Sequence, residues 1–416
     1  MDKAGLLKSI QDWREAYLSQ VHNLHPRAAS LSLPDKDIAL ALIGIRRSGK
    51  TSLAIEASRG LSKDKILYYN FEDPIFSANA TTQDIDLLIE TAEEYSKDKI
   101  ELLILDEIHN VPLWEKWLRK AIDLKKYRII VTGSSAQLIQ SELATALTGR
   151  AITKQIWTLS LAEYGAFIGL SGNSPSTPKL CRDYLTYGGF PAVTLQRDDA
   201  QKKELLQAYF SDILLKDVVS RNKIRDVRSL RTLTTYILTN PSSLHSSIAI
   251  EKALGIEKET ALLYLSYLCD AFLINACELY SNNLKVQHRA PTKYYLSDLG
   301  LRLVGARSAN SDDGKLLENL VYLELRRRGA EVFYFKDRGE VDFIVTDAYR
   351  PDSALQVSFS LQDEETRRRE TQALLDAANL FSLSDLTIVT WSEEEEIRVE
   401  GKNIKVVPVH KLCGLS

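Results

Sequence analysis

Hydrophobic residues Ile10, Trp13, Tyr17 and Val21 recur at helical spacing near the start of the chain, which predicts an amphipathic helix over residues 3–24 packed on the first domain. The pattern then changes. Ala39-Leu40-Ala41-Leu42-Ile43 is apolar without alternation, as suits a strand buried on both faces, and a glycine-bounded loop leads from it into a Leu/Ala-rich helix. Similar runs at Lys65–Phe71, Ile100–Leu105 and Tyr127–Val131 predict further strands of an open α/β sheet. Farther on, Ile248–Leu254 and Glu257–Leu268 read as two short amphipathic helices broken at Gly255, followed by an apolar strand Ala271–Leu279 and a return strand Tyr294–Leu296. The last hundred or so residues alternate again. A helix over Lys315–Arg328 precedes strands at Val332–Phe335, Glu340–Val345 and Ala354–Ser360, and a helix over Glu364–Asn379 follows.

The loop after the first strand fits G-x-x-x-x-G-K-[ST] at every fixed position, from Gly44 to Thr51. Gly44 and Gly49 let backbone N–H groups turn inward around phosphates, and the new helix presents its positive dipole end to the same anion. The nucleotide contact set is therefore Gly44, Arg46, Arg47, Ser48, Gly49, Lys50, Thr51 and Ser52, with Lys50 reaching the β- and γ-phosphates and the Thr51 hydroxyl ligating Mg²⁺. The aliphatic run ending in Asp106-Glu107 supplies the complementary acids: Asp106 for Mg²⁺ and Glu107 to polarise the attacking water. His109, with no second histidine at ligand spacing, reads as a residue at a helix start. At the tip of the next strand either Thr132 or Ser134 reaches the γ-phosphate or its water, or Ser134 or Ser135 caps a helix. Arg150, just beyond the sheet, is a candidate for neutralising transition-state charge, in cis or across a subunit interface. Glu72-Asp73-Pro74 is read either as an acidic turn or as a sensor of magnesium or a partner.

Composition narrows the setting. The chain has 416 residues, a net charge of -3 and 44% hydrophobic residues, which suits two to four globular domains with any basic surface confined to one region. Four cysteines lie without metal-site spacing, no basic-then-apolar signal segment opens the chain, and no apolar run is long enough to cross a bilayer; the expected compartment is the reduced cytoplasm. Residues 202–231 concentrate Lys202, Lys203, Lys216, Arg221, Lys223, Arg225, Arg228 and Arg231, a solvated helix face or a local anion-binding surface.

Together, Gly44–Thr51 with its Arg-Arg pair, Phe71-Glu72-Asp73, Leu105-Asp106-Glu107-Ile108, Trp114-Glu115, Thr132-Gly133-Ser134-Ser135 and Leu147-Thr148-Gly149-Arg150 resemble prokaryotic AAA+-type P-loop ATPases of the archaeal ATPase group. Leu159–Tyr164 resembles the strand and helix start that follow that family's arginine, and Tyr187-Gly188-Gly189-Phe190-Pro191 resembles an element placed near adenine in a helical lid, which would bring Pro191 to the nucleotide. The resemblance implies a P-loop NTPase core over 1–158, a helical lid over 159–225, a winged helix over 226–305 and a C-terminal α/β domain like restriction nucleases over 306–416. Within the last, Asp342 takes the place of a nuclease aspartate and Glu318 lies on the preceding helix, but Gln356-Val357-Ser358 stands where Glu-x-Lys is expected, so the domain should be inactive. Arg367-Arg368-Arg369 are possible replacements for the missing positive charge, and Glu393–Glu396 reads as a solvated turn. The expected activity is ATP hydrolysis with Mg²⁺ in a molecular switch or motor. DNA is the expected partner, with protein partners and an ATP-dependent homo-oligomer as further expectations, and no membrane. An ATP-regulated DNA nuclease and a nucleotide-gated scaffold for protein partners are the alternatives.

Overall fold

A computed structural model of the protein describes residues 3–28, 30–76, 80–96, 98–136, 149–170, 177–305 and 312–415. The chain divides into two compact units, Met1–Ile156 with Asp270–Phe272, and Trp157–Cys269 with Leu273–Ser416.

The first unit is built on strands β1 (Ala39–Ile43), β2 (Ile66–Asn70), β3 (Leu102–Asp106), β4 (Arg128–Gly133) and β5 (Ala151–Gln155), in the order β2-β3-β4-β1-β5 and parallel throughout. The register sets Leu105 beside Val131, Asn70 beside Asp106 and Ile43 beside Gly133, so the carboxyl ends of β1 to β4 form one edge. In open α/β sheets that edge is where ligands bind. The opening helix, Lys3–His22, buries Leu6, Ser9, Ile10 and Tyr17. It also claims the acidic turn: Ser9 and Trp13 donate to Asp73 at 2.6 and 2.7 Å. Burial opposes the charge of Asp73, but bonds from the Ile75 N–H, Ser9 and Trp13 outweigh it and hold the carboxyl below its usual range. The turn is a structural anchor for this helix.

Hydrophobic patterning missed β5, and the resemblance implied a strand near Leu159. The side chains of Ile152, Thr153 and Lys154 are exposed, as on a sheet edge, and leave no apolar signature. Ser160 and Glu163 form a reciprocal capping box that starts the helix Leu161–Phe167, so the segment after Leu159 is helical.

The second unit begins with helices Leu161–Phe167, Thr177–Tyr187, Pro191–Thr194 and Asp199–Asp212, the last running into a π-helix over Ile213–Ser220. Helix Val227–Thr239 follows, then β6 (Leu244–His245), helices Ser247–Leu254 and Lys258–Asp270, β7 (Ile274–Cys277) and β8 (Thr292–Leu296). These strands make an antiparallel sheet in the order β6-β8-β7. The final part is a six-stranded sheet, β13-β14-β12-β11-β10-β9, from β9 (Glu331–Lys336), β10 (Glu340–Asp347), β11 (Arg350–Val357), β12 (Asp385–Thr390), β13 (Glu395–Val399) and β14 (Lys402–Pro408). Side chains alternate across it. Phe343, Leu355 and Val389 join a core with helix Asp313–Arg327, whereas Ile344, Ala354 and Ile388 join another with helix Glu364–Phe381. The acidic run is not a solvated turn: Glu393 accepts from Ser360 and the Leu361 N–H at 2.8 and 2.7 Å, and Glu395 and Glu396 belong to the edge strand β13.

Candidate nucleotide-binding site

The loop between β1 and helix Lys50–Ala57 is held in a shape few residues allow. Gly44 has φ +142°, and a Cβ there would lie 2.2 Å from the Ile156 carbonyl oxygen, because the chain leaving β5 is bonded to Ile43 (Ile156 N–H to Ile43 O, 2.6 Å). Arg47 and Gly49 also take positive φ, 70° and 97°. The Lys50 ammonium curls back over the loop and donates to the carbonyls of Gly44 and Ile45 at 3.0 and 3.1 Å, bonds that an incoming anion can replace. Arg46 is paired with Glu72 at 2.7 Å, Arg47 and Ser52 are exposed, and the Ser48 hydroxyl is buried without a hydrogen-bond partner among the described residues.

At the neighbouring strand ends, Asp106 collects neutral donors. Thr51 Oγ1 lies 3.0 Å from both carboxylate oxygens, Thr132 donates at 2.5 Å, Asn70 at 3.2 Å and Tyr68 at 3.3 Å. Burial and the adjacent charge of Glu107 push its pKa up to about 6, against the hydroxyls and Lys50. Thr132 is a bridge: the same oxygen accepts the Glu107 N–H at 3.1 Å. Glu107 sits at φ +53°, and its buried Oε2 has no hydrogen-bond partner among the described residues. The Nδ1 of His109 stands 3.3 Å from that oxygen, out of line for a hydrogen bond. Two oxygen donors for a hard cation thus lie side by side at Thr51 and Asp106, with a second buried acid, Glu107, next in the chain.

An AAA domain model matches residues 36–165, the stretch that carries this site, and a domain of unknown function, DUF8612, matches 178–311. An uncharacterized protein of Haemophilus influenzae is 31% identical over 402 residues, 93% of this chain and 95% of its own length. One from Methanocaldococcus jannaschii is 31% identical over 408 residues, 91% and 90% of the two chains. The chain belongs to the family of these relatives and carries an AAA domain. A Walker-type ATPase of Pyrococcus abyssi superposes with a TM-score of 0.45 at 15% identity, covering 71% of this chain and 95% of its own.

One expected residue of the first unit stands away from the AAA domain's phosphate loop. Arg150 immediately precedes β5, where its carbonyl accepts the Ala39 N–H at 2.9 Å, and its guanidinium pairs with Asp123. Because β1 and β5 are parallel with Ala39 beside Ala151, Arg150 stands at the end of the sheet opposite the loop, so within one chain it is not part of the cradle. Leu147 and Thr148, which lead into it, lie outside the described residues. Pro191 opens a short helix of the second unit. There Gly188 and Gly189 are fastened to buried Asp298, which accepts the Gly189 N–H at 2.8 Å. A Cβ on Gly188, at φ +72°, would come within 1.8 Å of Asp298 Oδ1. Ser134 is fully buried at the tip of β4. Tyr68 and Asn70 were missed by sequence reading, although Asn70 ends a strand of the same sheet and could have been found from that position.

The C-terminal sheet holds a second acidic group. Glu318, on helix Asp313–Arg327, and Glu340 and Asp342, on β10, surround the Nζ of Lys293 from β8 at 2.9, 2.9 and 3.0 Å. Burial opposes the charge of Lys293, yet the three carboxylates hold its pKa well above the usual lysine value. Glu318 is pushed up by burial and by Asp342, and Tyr295 donates to it at 2.6 Å. Gln356 faces the backbone, accepting the Asp342 N–H at 3.1 Å and donating to Glu340 O and to Glu370. Ser358 bonds Ser360 O. The arginines do not replace the expected lysine here: Arg367 pairs with Glu395 and Arg369 with Glu370. The positive charge comes instead from Lys293, which lies outside the expected motif and so gave no signal.

Proposed function

We propose that the AAA domain binds ATP with Mg²⁺ and hydrolyses it. The observation that carries this reading is the set of buried polar atoms around the loop with no hydrogen-bond partner among the described residues: Ser48 Oγ, Ser135 Oγ and Glu107 Oε2. Such atoms at a strand-end crevice fit a polar ligand. Bound Mg²⁺ would screen the phosphate charge that resists attack. Thr51 and Asp106 hold that ion. Lys50 exchanges two carbonyls for phosphate oxygens, Gly44 to Gly49 supply backbone N–H groups, and Arg46, Arg47 and Ser52 flank them. Glu107 orients and polarises the attacking water. Thr132 keeps the two acids in fixed relation, and Ser134 supports the same strand tip. Arg150 contributes only across a subunit interface, in an ATP-dependent oligomer.

The rest of the chain couples this cycle to a partner. Residues 159–225 serve as a helical lid that brings Pro191 toward adenine, 226–305 as a winged helix and 306–416 as an inactive nuclease-like domain. The order helix, strand, helix, helix, strand, strand around β6-β8-β7, with a short helix Leu284–Arg289 in the connection between the last two strands, supports the winged-helix reading. DNA is the partner we favour, bound through phosphates at the exposed Lys223, Arg225, Arg228 and Arg231. A second reading, protein contact, has its own observation: Ile248, Leu262 and Leu263 are exposed on the two helices following β6, where a groove reader carries polar or cationic groups.

The test is ATP turnover with and without duplex, branched and single-stranded DNA, alongside mass in solution. Lys50→Ala should weaken nucleotide binding and abolish turnover. Glu107→Gln should keep ATP bound while turnover falls by roughly a hundredfold or more. Equal binding defects in the two variants would refute these roles.

A further inference from the structure

The nuclease likeness of the C-terminal sheet implies a metal held by carboxylates, and the residues present do not fit one. A hard cation needs oxygens about 2.0–2.6 Å away on several sides. Here the point equidistant from Glu318 Oε1, Glu340 Oε1 and Asp342 Oδ1 is filled by the Lys293 ammonium, at 2.9, 2.9 and 3.0 Å. Two of the three remaining oxygens are engaged as well. Asp342 Oδ2 accepts the Val357 N–H at 3.0 Å, and Glu340 Oε2 accepts from Lys336 at 3.2 Å.

We propose that Lys293 is the resident cation of this cluster, closing it to divalent metal and clasping the three-stranded sheet to the six-stranded one. The backbone cannot easily withdraw it. Lys293 sits on β8, the middle strand, beside Leu244 of β6 and Cys277 of β7, so its Cα is fixed from both sides. Its side chain is 3% exposed. Three acids on two elements meet one cation from a third, so the ammonium is a polar tie among helix Asp313–Arg327, β10 and β8, beside the apolar core they share. Ammonium donors also give a directional grip that a spherical ion lacks. The proposal rests on this geometry and not on the nucleotide reading, and its test contains no nucleotide.

The experiment measures Mn²⁺ binding by electron paramagnetic resonance and thermal unfolding on the full chain, in an Asp106→Asn background that removes the other acid expected to hold metal. With Lys293 intact, Mn²⁺ should neither bind at this cluster nor raise the unfolding temperature. Lys293→Ala should lower the unfolding temperature, gain one Mn²⁺ site, and recover much of the loss when Mn²⁺ is added. Adding Asp342→Asn should abolish that gain. If Lys293→Ala does not fold alone, refolding in Mn²⁺ or propylammonium supports the proposal, and failure in both overturns it. Mn²⁺ bound by the lysine-containing protein and lost with Asp342→Asn also overturns it, as does a folded Lys293→Ala that takes no Mn²⁺.

Discussion

In the AAA domain, Asp106 is surrounded by hydroxyls and an amide while one oxygen of Glu107 has no hydrogen-bond partner among the described residues; in the C-terminal sheet, Glu318, Glu340 and Asp342 close around an ammonium. Both groups are buried acids at the junction of a strand and its neighbours. Neutral donors orient a carboxylate without cancelling its charge, so the first group retains an electrostatic demand that an outside cation can meet. A lysine cancels charge and fills space at once. The difference separates a site that is ready for a ligand from one that has become part of the framework.

The sharpest way to break this comparison is to remove the internal cation. Lys293→Met leaves buried carboxylates facing one another, and stability should fall by about 3–5 kcal/mol, the usual cost of orphaning one side of a buried ion pair. Chemical denaturation of parent and variant checks it, and a loss below about 1 kcal/mol would deny the lysine its role.

Neutralising the other group should act in the opposite direction. An acid whose pKa is raised by folding takes up a proton on folding, so its ionisation costs stability progressively from about pH 4 to about 6 and in full above that. At pH 7 without Mg²⁺, Asp106→Asn should therefore stabilise the fold by about 1–3 kcal/mol, while Mg²⁺-dependent turnover is lost. Melting curves at pH 4 and pH 7 test this, since the gain should shrink at the acid end.

The same shift predicts how metal binding follows pH. Protons compete with Mg²⁺ for Asp106, so affinity for Mg²⁺ with nucleotide should be level above about pH 7 and fall toward tenfold per unit below about pH 6. Titration calorimetry across that range would detect it; a flat profile would mean that Asp106 does not hold the ion.

The smallest effect belongs to the surface that fits neither group. Reversing charge at Arg225 and Arg228 should weaken DNA binding on every sequence and reduce the slope of log affinity against log salt by about 2. Binding unchanged across a salt series would favour the protein-contact reading.

The sequence made the AAA site legible because its chemistry is local. Gly44 to Thr51 and Asp106-Glu107 each occupy a few consecutive residues, and buried parallel strands announce themselves as apolar runs. β5 was hidden because an edge strand need not be apolar, and which end of the sheet Arg150 occupies was hidden with it, since that depends on where the strand begins. Tyr68 became visible only with the register of β2 on β3, whereas Asn70 could have been found from its place at a strand end. Lys293 was illegible for a different reason. It is separated by 25 and 49 positions from Glu318 and Asp342, and no periodicity links a lysine on one sheet to acids on another element.

The Lys293 clasp has one more consequence, for the protein under metal starvation. A domain held by a divalent ion loosens when a chelator strips that ion, and its stability then follows the supply of metal in its surroundings. A cation attached through its own side chain cannot be diluted, exchanged or chelated. EDTA should stop the Mg²⁺-dependent ATP turnover proposed for the AAA domain while leaving the joint between the three-stranded and six-stranded sheets intact, so that the C-terminal part of the chain keeps its shape.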